Sequence, residues 1–215
     1  MGEPDEGFAA IERALKRAAA ALRDSDIPFL LGGSLASWAR GGPETHHDLD
    51  LMIKPEDAER AVEALVQAGM RADDPPEGWL VKAYDGDVLV DLIFGPSGLP
   101  MTDEVIARGE VMAVLGMDMR VMALEDVLVT KLMALSEHAL RYESLLRITR
   151  ALREQVDWDV VRDRTASSPF ARAFFVLAEG LDILPTGRAP GGRPDTPRTR
   201  VRVVTPPGSS GADEG

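Results

Sequence analysis

The segment Val88-Leu89-Val90-Asp91-Leu92-Ile93-Phe94 sets one carboxylate among six apolar neighbours. An apolar run of this length without alternation reads as a strand covered on both faces, so the chain must build a sheet with material packed on either side of it. An unpaired carboxylate inside such a strand costs several kcal/mol. Asp91 therefore demands a cation or a proton from its surroundings; an edge position or a buried ion pair to an arginine is the purely structural way to meet that demand.

A second acidic feature lies upstream. In Asp48-Leu49-Asp50-Leu51-Met52-Ile53 the two-residue period of a strand puts Asp48 and Asp50 on one face and Leu49, Leu51 and Ile53 on the other. Two like charges this near each other repel unless something positive sits between them. Carboxylate oxygens are the ligands that Mg²⁺ or Mn²⁺ prefers, although a solvated turn at the strand start would also account for the pair. On a neighbouring strand, Asp91 would complete a three-carboxylate cluster of the kind that holds two metals for in-line displacement at phosphorus.

The third feature is Leu30-Leu31-Gly32-Gly33-Ser34-Leu35-Ala36, a short apolar strand, two glycines and a helix start. Glycines allow backbone N–H groups to approach a phosphate closely, and the helix start and the Ser34 hydroxyl add donors. Gly32, Gly33 and Ser34 are therefore phosphate-binding candidates, with an ordinary turn as the alternative. The 13 residues from Leu35 to His47 suffice for one short helix and a loop back to an adjacent strand.

Composition narrows the choice further. The chain has 215 residues, no cysteine and a net charge of -12, with a pI near 4.7. The acidic balance excludes a general nucleic-acid coat protein, and the lack of cysteine excludes disulfide scaffolds, thiolate metal sites and cysteine nucleophiles. No apolar run reaches the roughly 18 residues of a membrane span. The opening residues, with Glu3, Asp5 and Glu6, do not read as a secretory signal, so a cytoplasmic protein without membrane contact is expected.

Periodicity and turn signals predict helices over Phe8–Leu22, Ser34–Arg40 and Pro55–Ala68, and strands over Ile27–Leu31, Asp48–Ile53, Leu80–Tyr84 and Asp87–Phe94, the last two joined by Asp85-Gly86. A loop follows, then a hairpin of Glu110–Val114 and Met119–Met122. From Leu124 the pattern is helical, over Leu124–His138, Arg141–Glu154, Trp158–Arg164 and Pro169–Leu181. The expected fold class is α+β. A mixed β-sheet core flanked by helices (1–123) carries a C-terminal helical subdomain (124–185) and a disordered tail (186–215), the tail being expected from its 6 Gly and 5 Pro.

Gly32-Gly33-Ser34, then Asp48-Leu49-Asp50, then Asp91 resemble the signature of the DNA polymerase β-like nucleotidyltransferase superfamily. The nearest likeness is to the bacterial branch of lincosamide and aminoglycoside nucleotidyltransferases and nucleotidyltransferase toxins. It spans Phe29 to Leu181, since Leu124 to Leu132 and Val156-Asp157-Trp158-Asp159 also resemble that branch. The resemblance implies that Gly32, Gly33 and Ser34 hold the triphosphate of an NTP such as ATP, and that Asp48 and Asp50 bind Mg²⁺ or Mn²⁺. Asp91 either binds the second metal or takes the proton of the acceptor hydroxyl, two roles that compete because a metal-bound carboxylate is less basic. Lys131 would reach the phosphates from its helix, and Lys82 is a second phosphate candidate.

The activity implied is transfer of a nucleoside monophosphate to an acceptor hydroxyl, with pyrophosphate leaving. The acidic balance favours a small cationic polyhydroxylated acceptor over RNA, because phosphate contacts need Lys and Arg. A tRNA acceptor with a cognate antitoxin as partner is the runner-up, and a non-catalytic nucleotide-binding or partner-binding module of the same fold is the rival from another class. Two departures stand out: Glu44, Thr45, His46 and His47 occupy the loop where many relatives carry a basic residue, and Ser136 to Arg141 lacks the acidic residues of that branch.

Overall fold

A computed structural model describes residues 6–43, 48–73 and 78–186. The loop Glu44 to His47 and the tail expected after Thr186 lie outside the described residues, Thr186 itself excepted.

The chain opens with helix α1 (Glu6–Asp24), then strand β1 (Phe29–Leu31), helix α2 (Gly33–Trp38) and strand β2 (Leu49–Ile53). A 3₁₀ turn at Pro55–Asp57 leads into α3 (Ala58–Gln67), followed by strands β3 (Arg71–Asp73), β4 (Leu80–Asp85) and β5 (Val88–Ile93). Then come α4 (Asp103–Arg108), the hairpin β6 (Glu110–Val114) and β7 (Met117–Val121), and four helices: α5 (Leu124–Met133), α6 (Tyr142–Leu152), α7 (Trp158–Arg164) and α8 (Pro169–Gly180).

The strands form one mixed sheet in the order β3-β4-β5-β2-β1-β7-β6. β5 and β2 lie inside it and run parallel, with Leu49 opposite Val90, Asp50 opposite Asp91 and Leu51 opposite Leu92. On one face Leu49, Leu51, Ile53, Val90 and Leu92 are buried, with α1 and α3 packed on β5, as the strand period requires. The opposite face carries Asp50 and Asp91 and is approached by α2, which touches both β2 and α5.

Two apolar clusters fill the molecule. The larger joins the sheet to α1 and α3; the smaller joins α5 through α8 around Phe174 and Phe175. Helix α5 serves both, lending Val127 to the first and Leu124, Leu128, Val129 and Leu132 to the second, and so is apolar nearly all round. The buried Asp126 of the same helix is held by Arg108 of α4 and, at 2.7 Å, by Arg164 of α7.

The α+β class and the mixed sheet agree with the sequence, and most elements fall within a few residues of their predicted bounds. Two short elements were not predicted. β3 is an edge strand of Arg71, Ala72 and Asp73 without apolar alternation, made by pairing with β4. α4 carries its own signal, since the Thr102 side chain accepts the Val105 N–H as a cap and Asp103 and Glu104 fill the first turn. The helix predicted over Leu124–His138 stops at Met133. Leu135 turns inward to the smaller cluster, and Ser136 to Ala139 close a turn through the Ala139 N–H and the Ser136 carbonyl. The β4–β5 hairpin turns on Gly86 and Asp87, with Asp85 already paired to Val88; the predicted Asp85-Gly86 turn is one residue early. Gly86, at φ +62°, takes the first central position that a type II′ turn reserves for glycine.

Candidate active site

Asp50 and Asp91 meet because β2 and β5 are parallel neighbours in register. Adjacent strands lie about 4.8 Å apart, so two carboxylates leave the same face side by side. Asp91 is buried and Asp50 half-buried, whereas Asp48 is exposed just before β2 begins. The phosphate candidates close in from β1. The Gly32 N–H donates to the Asp50 carbonyl at 2.8 Å, which seats the turn against β2, and the Ser34 N–H donates to the Asp50 carboxylate.

Gly33 fits this turn for two reasons. Its φ of +56° lies in the left-handed region, which side chains other than glycine rarely adopt. A Cβ there would also stand 1.6 Å from Asp50 Oδ2, inside the carboxylate itself. Lys131 reaches in from α5, its Nζ donating to Ser34 Oγ at 3.2 Å. The structure thus brings Gly32, Gly33, Ser34, Asp50, Asp91 and Lys131 to one end of the sheet, with Asp48 at its open edge.

The electrostatics follow from this crowding. Burial, together with the charges of Asp91 and Asp48, pushes the Asp50 carboxyl up to about 6, although Lys131 and the Ser34 N–H pull the other way. Burial also lowers Lys131, and Arg141 adds to this while Asp50 opposes it. Asp91 has its counter-charge inside the protein: Lys82 of β4 lies opposite it in register, and Lys82 Nζ stands 3.2 Å from Asp91 Oδ1.

Sequence reasoning placed Lys82 with the phosphates and missed this contact. Its signal was the hairpin register, since a turn one residue early pairs Lys82 with Leu89 instead. Arg141, close enough to bear on Lys131, was passed over as well.

Among the described residues no group of three His, Asp or Glu side chains is arranged so that it could hold a metal ion. The donor set nonetheless suits a hard dication. It consists of carboxylate oxygens, and the Asp50 carboxyl, pushed up first by burial, also feels the charges of Asp91 and Asp48.

The family model described as "uncharacterised nucleotidyltransferase" matches residues 9–180 of this chain. The chain belongs to this family. The match takes in every site residue named above and the two apolar clusters except Leu184, so the protein is a nucleotidyltransferase whose turn, acidic strands and C-terminal helices belong to one homologous unit. Among solved structures, this nucleotidyltransferase is similar to ANT(2")-Ia in complex with adenylyl-2"-tobramycin, with a TM-score of 0.56 and 19% identity over 76% of this chain and 98% of that one. It is also similar to the solution structure of the antibiotic-resistance factor ANT(2")-Ia, with a TM-score of 0.52 and 19% identity over 81% of this chain and 97% of that one. At that identity the likeness is one of fold. No curated protein sequence matches significantly. Among the described residues of this nucleotidyltransferase no helix is long and apolar enough to cross a membrane.

Proposed function

We propose that this nucleotidyltransferase moves a nucleoside monophosphate from an NTP to a hydroxyl of a small, cationic, polyhydroxylated acceptor, releasing pyrophosphate. The observation that carries the reading is the register pairing of Asp50 with Asp91 on parallel strands, beside a Gly33-Ser34 turn fitted to the Asp50 carboxylate. A protein that only bound a partner would gain nothing from carboxylates that repel one another at the end of a sheet.

In this reading Asp48, Asp50 and Asp91 hold divalent metal, Mg²⁺ or Mn²⁺. Bound there, the metal supplies positive charge to the phosphoryl oxygens as they pass through the transition state. The turn Gly32-Gly33-Ser34 receives the triphosphate, and Lys131, whose ammonium already reaches Ser34 Oγ, swings from that hydroxyl to a phosphate oxygen. The acceptor hydroxyl oxygen attacks the α-phosphorus in line, the bond to pyrophosphate breaks, and the hydroxyl proton passes to water while Asp91 serves as a metal ligand. Proton acceptance by Asp91 is the alternative role.

The acceptor class rests on charge. The net charge of -12 attracts cationic molecules and opposes the phosphate backbone of RNA. The adenylylated aminoglycoside in the ANT(2")-Ia complex makes ATP and a polyamine sugar the first pair to try. The tRNA acceptor and antitoxin partner considered from the sequence have no comparable support.

The test is incubation of the full chain with each of ATP, CTP, GTP and UTP, Mg²⁺, and in parallel an aminoglycoside panel, a small-molecule extract and total RNA, read by mass spectrometry. A nucleoside monophosphate adduct on a small polyhydroxylated amine is expected. Adducts confined to RNA would overturn the acceptor class, and no adduct on any of them would overturn the catalytic reading.

A further inference from the structure

Asp73 of β3, Lys82 of β4, Asp91 of β5 and Asp50 of β2 stand in one row across four adjacent strands, each in register with the next. Lys82 is thus a cation set between acids, with its Nζ 3.2 Å from Asp91 Oδ1. Its side chain is 26% exposed and that of Asp91 12%. A buried carboxylate needs a counter-charge in order to stay ionised, and here the fold provides one without any metal. The same arrangement creates a conflict, because an ammonium on Asp91 Oδ1 repels a dication arriving at that carboxylate.

We propose that Lys82 is a positioning residue that occupies the Asp91 side of the metal site as a built-in counter-ion, and that a divalent cation binds between Asp50 and Asp91 only as the Lys82 ammonium moves off Asp91. The inference rests on the reading of Asp48, Asp50 and Asp91 as metal ligands. It reassigns Lys82 from the triphosphate to the acidic row. The side chain suits an exchangeable role: lysine is a point charge on a flexible stem, and its partial exposure gives the ammonium water to move into. Asp73, exposed and next in the row, offers a carboxylate on the far side of Lys82. The exchange leaves Lys82 protonated throughout and needs no proton transfer. Without metal Asp91 stays paired and held in place; with metal the dication takes over the neutralisation that Lys82 gave up.

The experiment is a titration of the full chain with Mn²⁺ alone, followed by electron paramagnetic resonance of the free ion, on the wild type, Lys82→Met, Lys82→Arg, Asp50→Asn and the Lys82→Met/Asp50→Asn pair. Lys82→Met should bind Mn²⁺ about tenfold more tightly than the wild type, the scale expected from removing one charge beside a dication in a partly hydrated site. Lys82→Arg should return the affinity to near the wild-type value, and Asp50→Asn should abolish binding in both backgrounds. Binding seen in Lys82→Met and absent in the wild type also supports the proposal. Detectable Mn²⁺ binding that is unchanged or weaker in Lys82→Met overturns it, provided that circular dichroism shows a folded chain; Lys82→Gln is the replacement variant if Met disturbs folding. No binding in either the wild type or Lys82→Met, or binding that survives Asp50→Asn, overturns instead the reading of the acids as metal ligands, so the two failures are told apart.

Discussion

Asp50 and Asp91 stand directly opposite each other across the parallel β2–β5 pair, and the Asp91 carboxylate adds to the cost that burial sets on ionising Asp50. A pair of acids held in register by a sheet cannot relax apart as surface acids do, because the backbone hydrogen bonds of both strands fix the spacing. The arrangement has measurable consequences for activity, for pH dependence and for stability.

Asp48→Asn and Asp50→Asn should each reduce transfer by several orders of magnitude while leaving the fold intact, since the change removes charge and keeps volume. In the absence of metal the melting temperature should stay level or rise, because like-charge repulsion is relieved. Steady-state kinetics with Mg²⁺ and thermal melts in chelator check both halves. Wild-type turnover in either variant would contradict the metal assignment.

The Asp50 carboxyl is raised from 3.8 to about 6 in the folded chain, so between those values the native state holds a proton that the unfolded chain has released. Its contribution to metal-free stability is therefore fully present below about pH 4 and is lost as pH rises through 6. The melting temperature of the wild type minus that of Asp50→Asn should fall over that interval in chelator. Mg²⁺ competes with the same proton, so its stabilising effect should weaken as pH drops below 6. A difference curve flat from pH 4 to pH 7 would contradict the burial of Asp50 beside its neighbours.

Gly33→Ala forces a Cβ to within 1.6 Å of Asp50 Oδ2 at a φ of +56°. The left-handed backbone alone costs a non-glycine residue about 1 kcal/mol or more, and the clash moves the Asp50 carboxylate besides. Activity should drop by at least about a hundredfold, the scale set by misplacing a reacting group by an ångström, with only a modest fall in melting temperature. Gly32→Ala is the milder comparison, because its Cβ meets the flexible end of Met52. Equal losses in the two variants would contradict the role given to the Gly33 contact.

Asp126 is a control remote from the chemistry. It is 1% exposed and held by Arg108 and Arg164, so Asp126→Ala leaves two guanidinium groups without their common carboxylate. Because both guanidinium groups keep access to water, the loss of these charged hydrogen bonds should cost about 1–3 kcal/mol, read as a lower denaturant midpoint. An unchanged midpoint would contradict the clamp.

Much of this was legible in the residues themselves. The two glycines and serine were chosen as a turn that admits a phosphate, and the acids at the start of β2 and in β5 because carboxylates sat where a strand disfavours them; Gly32, Gly33, Ser34, Asp50 and Asp91 come together at the sheet, with Asp48 exposed just before β2. The demand of Asp91 for a cation was also legible. Its answer was not, because finding Lys82 requires the hairpin register, and a turn placed at Asp85-Gly86 instead of Gly86-Asp87 shifts every cross-strand pair by two. The edge strand β3 was hidden for a related reason. Arg71, Ala72 and Asp73 carry no apolar alternation, and their pairing is imposed by β4 and not by their own preference. The end of α5 was set by tertiary packing, since Leu135 leaves the helix to join the smaller cluster.

The central claim is that the acids at the end of the sheet transfer a nucleoside monophosphate and release pyrophosphate. It is tested most directly by supplying ATP labelled with radioactive phosphorus at either the α or the γ position, together with Mg²⁺ and a polyhydroxylated amine acceptor, to the wild type and to Asp50→Asn. The α label should pass to the acceptor, the γ label should appear in pyrophosphate, and both should vanish in Asp50→Asn. Passage of the γ label to the acceptor, or α transfer undiminished in Asp50→Asn, would contradict the account.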